Sequence, residues 1–350
     1  MMKKLFLSLI LLPFFTFSQT QVGQDINGVS TYSYFGSNLG FSSDGNTVAT
    51  SAVFNDGNAS NSGLVQVFRD VDGTWSQLGQ NIYGQNQNNY VGDVVLSANG
   101  NIMALGAAGN FMNGGGYAQV YEYSGGVWTQ IGSDISNESV NDDSGGLSLS
   151  ADGNIIAIGA AENFNNGVTS GHVRVYENIS NVWTQIGNDI DGENQYDNFG
   201  GETSLSSNGK ILAIGGRQND GNGSNAGHVR VFENITGTWT QIGTDIDGEA
   251  SEDNSGALSL SSDGSILAIG ALNNDGNGSN SGHVRVYQNI NGTWIQIGVD
   301  IDGESEGDQS GVSVSLSANG TVLAIGAFQN DGNGANSGHV RIYKNINGTW

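Results

Sequence analysis

The chain has 350 residues with 34 acidic and 10 basic side chains, so its formal net charge at pH 7 is −24. This charge excludes nucleic acid and anionic membranes as partners, since both repel a strongly acidic surface. Glycine accounts for 56 residues, whereas proline occurs once and cysteine not at all. Turns must therefore be built from Gly, Asn and Asp, and no disulfide can stabilise the fold.

Residues 1–18 have the layout of a secretory signal peptide. Lys3 and Lys4 precede the apolar run LFLSLILLPFFTF, and Thr16 and Ser18 are small residues near a possible cleavage point. The apolar run is short for a membrane span. We expect cleavage after residue 18, a secreted or cell-surface location, and no membrane insertion of the mature chain.

A repeated motif organises the rest of the chain. Its clearest copy, SGHVRVYQNINGTWIQIG, occupies residues 281–298, and each of six copies contains one of the six tryptophans. Successive tryptophans are 53 to 56 residues apart, a period typical of repeat architectures. We predict a single domain, residues 19–350, with six repeats. The repeats are 20–75, 76–128, 129–183, 184–239, 240–294 and 295–350.

Each repeat divides into four predicted strands, named A to D. In repeat 240–294 they are TQIGTDI, GALSLS, SILAIGA and GHVRVYQN. Asp263-Gly264 joins B to C, and Asn291-Gly292 joins D to the next A; such dipeptides between alternating runs are strong hairpin signals. Strands B and C are apolar on both faces, as a sheet packed between two others requires. The pattern predicts an all-β fold, a β-propeller of four-stranded antiparallel blades.

The chain ends predict how the ring closes. Residues 20–26 read as a strand A without a preceding strand D, and Gly338–Asn345 reads as a strand D without a following strand A. Pairing the two would close a six-bladed ring and cover both sheet edges. The alternative is that the six repeats are part of a seven-bladed ring and that the chain is a fragment lacking a further domain.

One stretch carries a family resemblance. The run QSGVSVSLSANGTVLAIGA from Gln309 to Ala327, with Phe35-Gly36 and Phe199-Gly200 at the matching place in other copies, resembles the FG-GAP repeats of integrin α-subunit propellers and their bacterial relatives. The resemblance implies a propeller, usually of seven blades. The family's calcium loop carries several aspartates around the B–C turn, whereas this turn is only Ser-Asp-Gly or Ala-Asn-Gly, so that site is not expected here.

The A–B loops carry recurrent acids. In a propeller blade the A–B and C–D loops lie on one face, which we call the loop face, and the tight turns lie on the other. Clustered carboxylates on a loop suit calcium, and the alternative is that the loops are plain solvated turns. The predicted metal ligands are Asp189, Asp191, Glu193, Asp197, Asp245, Asp247, Glu249, Asp253, Asp300, Asp302, Glu304 and Asp308.

The histidines occupy one position of the repeat, which is Leu64 and Tyr117 in the first two copies. They are His172, His228, His283 and His339. A position that exchanges His for Leu and Tyr is predicted to be a packing position. Arginines two residues later are predicted to form hydrogen bonds, and the tryptophans to pack between blades rather than to stack on sugars.

Catalytic motifs are missing from the sequence: there is no HExxH, no G-x-S-x-G, no phosphate loop and no cysteine nucleophile. Residues that depart from the repeat form no evident catalytic set; they are Tyr90, Phe111, Met112, Phe164, Tyr196, Lys210 and Arg217. The sequence therefore predicts a non-enzymatic, monomeric recognition or adhesion module that binds an extracellular protein or glycan through its acidic loop face, with Ca²⁺ as the only cofactor considered. The alternatives are a polysaccharide-active enzyme with a site in the divergent repeats and a purely structural surface array.

Overall fold

A computed structural model describes residues 21–107, 116–137, 145–163 and 168–350. Over these ranges the chain forms β-strands and no α-helix, and the strands make six antiparallel sheets in chain order. These sheets are the blades of a six-bladed β-propeller, which confirms the predicted fold class. The predicted signal peptide lies outside the described residues, as do Phe111, Met112 and Phe164. Within the described ranges no helix has the length and apolar character needed to cross a membrane.

The strands follow the repeat. The first blade contains β1 (Phe35–Phe41), β2 (Thr47–Ala52), β3 (Leu64–Val71), β4 (Thr74–Gln77) and β5 (Ile82–Tyr83). The second contains β6 (Val94–Leu96), β7 (Ile102–Ala107), β8 (Tyr117–Ser124), β9 (Val127–Gln130) and β10 (Ile135–Ser136). The third contains β11 (Gly145–Leu149), β12 (Ile155–Ala160), β13 (His172–Ile179), β14 (Val182–Gln185) and β15 (Ile190–Asp191).

The fourth blade contains β16 (Phe199–Leu205), β17 (Ile211–Gly216), β18 (His228–Ile235), β19 (Thr238–Gln241) and β20 (Ile246–Asp247). The fifth contains β21 (Ser255–Leu260), β22 (Ile266–Ala271), β23 (His283–Ile290), β24 (Thr293–Gln296) and β25 (Ile301–Asp302). The sixth contains β26 (Ser310–Leu316), β27 (Val322–Ala327) and β28 (His339–Lys344).

The outermost strand of each of the first five blades comes from the next repeat. In the fourth blade, β19 and β20 both pair with β18, so the predicted strand A is split into two short pieces on one partner. The turn between β18 and β19 is the hairpin that the sequence predicts. Each of these blades therefore combines strands B, C and D of one repeat with strand A of the next.

Apolar side chains pack between neighbouring blades. One cluster joins Ala213, Val229 and Val231 of the fourth blade to Leu267 and Ile269 of the fifth, all 1% exposed or less. Each fully buried Leu or Ile of this kind stabilises the fold by about 2 kcal/mol. Gly215 allows the close approach, because a Cβ built there would lie 2.2 Å from the Gly256 carbonyl oxygen of the next inner strand.

The tryptophans link the outer strands of successive blades. Trp239 Nε1 donates to Ile186 O at 3.0 Å, and Trp294 Nε1 donates to Ile242 O at 3.1 Å. In both cases the acceptor lies just after the outer β-segment of the preceding blade. These contacts support the predicted packing role between blades.

The first and sixth blades leave apolar faces uncovered, and we call this pair of faces the seam. Val340 and Ile342 of β28 are 66% and 73% exposed, and Leu39 of β1 is 61% exposed. By contrast, Val284 and Val286, which correspond to the β28 residues in the fifth blade, are 0% and 2% exposed.

The N-terminal segment does not cover the seam. Residues 21–26 form no strand, and the sixth sheet has only β26, β27 and β28 among the described residues. The predicted pairing of residues 20–26 with Gly338–Asn345 is therefore not seen over residues 21–26. The segment is bound to the first blade instead, because Trp75 Nε1 donates to Val22 O at 2.9 Å and Gln24 Nε2 donates to Trp75 O at 2.8 Å.

Candidate functional site

The inner strands line the propeller axis and are joined directly by hydrogen bonds. The Thr203 hydroxyl donates to Gly146 O at 2.6 Å, which links β16 to β11. Further round the ring, Leu260 N donates to the Ser204 hydroxyl at 3.1 Å. Side chains at the loop-face ends of these strands consequently meet around one central opening, which we call the channel mouth.

One position at the channel mouth differs from blade to blade. In each blade it lies immediately before a residue of the innermost strand that pairs with the second strand. The second-strand partners of that following residue are Thr50, Leu105, Ile158, Ile214, Ile269 and Ile325. The occupants of the position in blade order are Asn38, Asp93, Gly146, Glu202, Ala257 and Ser313. Carboxylates therefore occur only in the second and fourth blades. Asp93 and Glu202 line the same cavity, of about 270 Å³, together with Asn38.

Glu202 forms an ion pair with Arg217. The distance from Arg217 Nη2 to Glu202 Oε1 is 2.9 Å, and the side chains are 32% and 45% exposed. Burial raises the pKa of Glu202, and the neighbouring guanidinium opposes this rise without cancelling it. The position of Arg217 is otherwise apolar, being Val53, Ala161, Leu272 and Phe328 in other blades. The pair is thus specific to the fourth blade.

A second cavity, of about 450 Å³, opens beside the first, and Glu202 borders both. Besides Glu202, its polar lining comes from the fourth to sixth repeats and consists of Asn198, Arg217, Gln218, Asn254, Asn273 and Gln309. Gln309 Nε2 donates to Asn273 Oδ1 at 3.0 Å, so part of this amide rim is already ordered. The two cavities together offer one carboxylate–guanidinium pair, a second carboxylate and several amides, a set suited to a small polar molecule.

The acids predicted to bind calcium are divided between different partners. Asp253 is 3% exposed, and its Oδ2 accepts hydrogen bonds from Glu249 N, Ala250 N and Asn274 Nδ2 at 3.0 to 3.2 Å. Asp197 and Asp308 accept equivalent bonds in their loops. This last acid of each loop therefore ties an A–B loop to a C–D loop.

The other acids of the same loops contact glutamine and arginine side chains instead. Asp245 Oδ1 accepts a bond from Gln241 Nε2 at 2.6 Å, and Asp189 and Asp300 do the same with their own glutamines. The backbone oxygens of Asp191, Asp247 and Asp302 accept bonds from Arg230, Arg285 and Arg341. Glu193, Glu249 and Glu304 face those same arginines at 3.6 to 3.9 Å. Calcium binding by these twelve residues stays a prediction.

Three of the four histidines are buried, as their exchange with Leu and Tyr predicts, whereas His339 in the sixth blade is 25% exposed. His172, His228 and His283 are 1% exposed or less. Burial lowers the pKa of His228 to about 4, with Arg230 acting in the same direction and Asp245 opposing it. The arginines do form the predicted hydrogen bonds, and Arg230 also lies 4.2 Å from the Phe199 ring centroid.

Sequence reasoning singled out Arg217 but missed Glu202 and Asp93. A column-by-column comparison of the B strands carries the signal, because only these two copies place a carboxylate at this position. Lys210, also noted as a departure from the repeat, lies in the B–C turn on the opposite face and does not join the site.

Comparison with known proteins finds similar folds but no matching family. No protein-family model matches the sequence, and no curated protein matches it. The FG-GAP resemblance therefore stays a prediction.

Solved structures match well in shape. A protein from Bacteroides uniformis, provisionally assigned as a 6-phosphogluconolactonase, has a TM-score of 0.60 and 15% identity, with 89% of this chain and 81% of that chain covered. The periplasmic gluconolactonase of Pseudomonas aeruginosa has a TM-score of 0.56 and 16% identity, covering 91% and 90%. Hydrazine synthase of Kuenenia stuttgartiensis has a TM-score of 0.54 and 12% identity, covering 88% and 83%.

These likenesses correct one prediction. From the missing catalytic motifs we concluded that the chain is not an enzyme. Propellers of this shape include proteins named as lactonases and a synthase, so the absence of those motifs does not exclude catalysis on this fold. The conclusion was wrong. At 12 to 16% identity the likeness itself establishes only the fold.

Proposed function

We propose that the protein is a hydrolase that opens a lactone derived from a sugar, at the channel mouth. The observation that carries the proposal is the convergence of Asp93, Glu202 and Arg217, none of which is repeated, on two neighbouring cavities that share Glu202. A pair of cavities of about 270 and 450 Å³ matches one sugar ring better than a polymer, which would need an open cleft. The names of two propellers of similar shape support the same substrate class.

Glu202 is the general base in this proposal. Its raised pKa makes the carboxylate a stronger proton acceptor than an exposed glutamate. Because Arg217 binds Oε1, the second oxygen can take a proton from water as the water oxygen attacks the lactone carbonyl. The ring C–O bond then breaks, and the departing oxygen receives that proton from Glu202.

Arg217 and Asp93 bind the substrate in this proposal. The Arg217 guanidinium stabilises the oxyanion that forms on the carbonyl oxygen, a contribution of the kind that preorganised charges make in active sites. Asp93, on the shared cavity, accepts hydrogen bonds from substrate hydroxyls. The net charge of −24 favours a neutral lactone over a phosphorylated one.

The proposal also covers the cellular location and the oligomeric state of the protein. The signal-like residues 1–18 support a location outside the cytoplasm for the mature protein, and one propeller of similar shape is named as periplasmic. We propose that it acts there as a monomer.

The test is hydrolysis of gluconolactone, followed as acid release at constant pH. The unaltered protein should exceed the spontaneous rate, and Glu202→Gln should lower kcat by about a hundredfold or more, as expected for loss of a general base. Arg217→Met should give a loss of similar order. Ser313→Ala, at the equivalent position of the sixth blade, is the matched control and should keep the full rate. Absence of turnover by folded protein, or equal rates in Glu202→Gln and Ser313→Ala, would contradict the proposal.

A further inference from the structure

Two side-chain clusters away from the channel mouth share one composition. Each joins a glutamate from the loop entering a blade, a histidine at the start of that blade's third strand, and an aspartate from the link between the blade's two short outer segments. Among the described residues these are Glu193, His228 and Asp245 in the fourth blade and Glu249, His283 and Asp300 in the fifth. In each cluster one ligand-type atom from every residue lies within 4.8 Å of the other two.

His228 lacks the hydrogen bonds that a buried imidazole needs. The side chain is 0% exposed, and neither Nδ1 nor Nε2 has a hydrogen-bond partner among the described residues. Nδ1 points toward Asp245 Oδ2 at 3.9 Å, which is beyond hydrogen-bonding distance. In the second cluster the histidine faces the glutamate instead: His283 Nδ1 lies 3.8 Å from Glu249 Oε2, and only Nε2 is buried without a partner among the described residues. Leaving a buried polar nitrogen unpaired is costly, and a bound ion would remove that cost at the one imidazole nitrogen whose lone pair it accepts.

The spacing fits a metal ion between these atoms. Ligands of one tetrahedral zinc ion lie about 3.4 Å apart, given bond lengths near 2.1 Å. His228 Nδ1 and Asp245 Oδ2 would therefore need to approach by only about 0.5 Å. Glu193 is 43% exposed and can swing into place, which also gives the ion a path from solvent.

The local charge favours a cation despite a neighbouring guanidinium. Arg230 Nη1 lies 3.6 Å from Glu193 Oε1 and offsets one negative charge. Asp197, Asp245 and Asp247 all act electrostatically on Glu193, so four carboxylates, counting Glu193 itself, outnumber the one guanidinium that acts on it. The His228 imidazole is fully buried among these groups, and its neutral form offers a lone pair to the ion.

We propose that the Glu193–His228–Asp245 and Glu249–His283–Asp300 clusters each bind a divalent transition-metal cation, with zinc as the representative ion. An imidazole with two carboxylates is a donor set for such ions, whereas calcium takes oxygen ligands almost exclusively. Each ion links the loop that enters a blade to the link between that blade's two short outer segments. These sites differ from the four-acid loops predicted from the sequence, because each draws ligands from two successive loops.

Zinc titration of chelator-treated protein at pH 7, measured by isothermal calorimetry, tests the proposal. Two ions should bind per chain, and the melting temperature should rise because the ion binds only the folded state. His228→Gln and His283→Gln should each remove one ion, and the double variant should remove both. Asp245→Asn provides a second variant of the first site that leaves the histidine in place, and it should weaken that site at least tenfold.

His339→Gln is the matched control. His339 faces Glu304 at 3.7 Å but has no third ligand of this kind among the described residues, so both ions should remain bound in the variant. Zinc binding that persists unchanged in the His228→Gln, His283→Gln double variant would show surface binding only and overturn the proposal. Displacement of zinc by an equal concentration of calcium would overturn the transition-metal assignment, and no binding at all would overturn the sites.

Discussion

Burial decides the chemistry of individual residues in this propeller. Burial shifts the pKa of both His228 and Glu202. It lowers the pKa of His228 and raises that of Glu202, because burial favours the neutral form of each. Glu202 becomes a stronger base at the axis, whereas His228 becomes a neutral imidazole between blades.

The shift at His228 predicts acid sensitivity. Its pKa is 6.5 when exposed and about 4 in the fold, so the unfolded chain binds the proton first as pH falls. This contribution to stability is fully present above pH 6.5 and is lost between pH 6.5 and pH 4. The loss amounts to about 3 kcal/mol. Urea unfolding across this range, in chelator, measures it.

His228→Leu is the control for that prediction, since Leu64 occupies the equivalent position of the first blade. The carboxylates of Glu193 and Asp245 and the guanidinium of Arg230 face this site and remain in the variant. The variant should therefore keep the acid sensitivity of every other group and lose only the histidine's share. Parallel stability curves for the two proteins between pH 4 and pH 6.5 would show that His228 is not shifted.

Sequence alone could predict the burial of the histidines, because Leu and Tyr replace them in other copies. It could not predict their partners. Glu193 and His228 lie 35 residues apart in the chain, and only the packing of successive blades brings them together. Glu202 was missed for a similar reason: its significance depends on facing the axis beside Asp93.

At the scale of elements, the A–B loops are held by buried carboxylates. Asp253→Ala would leave Glu249 N, Ala250 N and Asn274 Nδ2 without their shared acceptor. The expected loss is about 3 kcal/mol in the free energy of unfolding, since unsatisfied buried donors are expensive. Chemical denaturation checks this value.

Glu306→Ala in the following loop is the comparison, because Glu306 is exposed. Its cost should stay within about 0.5 kcal/mol. If Asp253→Ala cost as little as Glu306→Ala, the loop would be held by something other than the buried carboxylate.

The strands themselves were largely predictable, since Asp-Gly and Asn-Gly turns and apolar alternation mark their limits. Strand A is the exception. It reads as one strand, yet β19 and β20 are separated by Ile242–Asp245. Gly243 there has a φ of +78°, which takes the backbone out of an extended conformation.

At the scale of the molecule, the seam gives equivalent residues of the repeat different solvent exposures. Val284 is 0% exposed and Val340 is 66% exposed, although both occupy the same position of the repeat. Val284→Ala should cost about 2 kcal/mol, because buried methyl groups are lost from a packed interface. Val340→Ala should cost less than about 0.5 kcal/mol. Urea denaturation of the two variants gives both values.

Equal costs for the two substitutions would mean that the seam is covered in solution, as a closed ring requires. The number of blades followed from counting tryptophans, because each repeat supplies one. Closure could not be predicted in the same way. It depends on whether residues 21–26 favour Trp75 or β28, a competition between two tertiary contacts that no local pattern encodes.

The seam also indicates how such a chain reaches its folded state. Each new blade packs on an apolar face of the one before it and is finished only when the next repeat supplies its outer strand. A growing propeller therefore always presents a face like that of β28, and the next repeat to emerge is the nearest surface that can cover it. Contacts of this kind join residues about one repeat apart, so assembly can proceed from neighbour to neighbour without a long search. Molecules would then associate wrongly with one another while an apolar face waits for the next repeat to cover it, rather than because any single blade is weak.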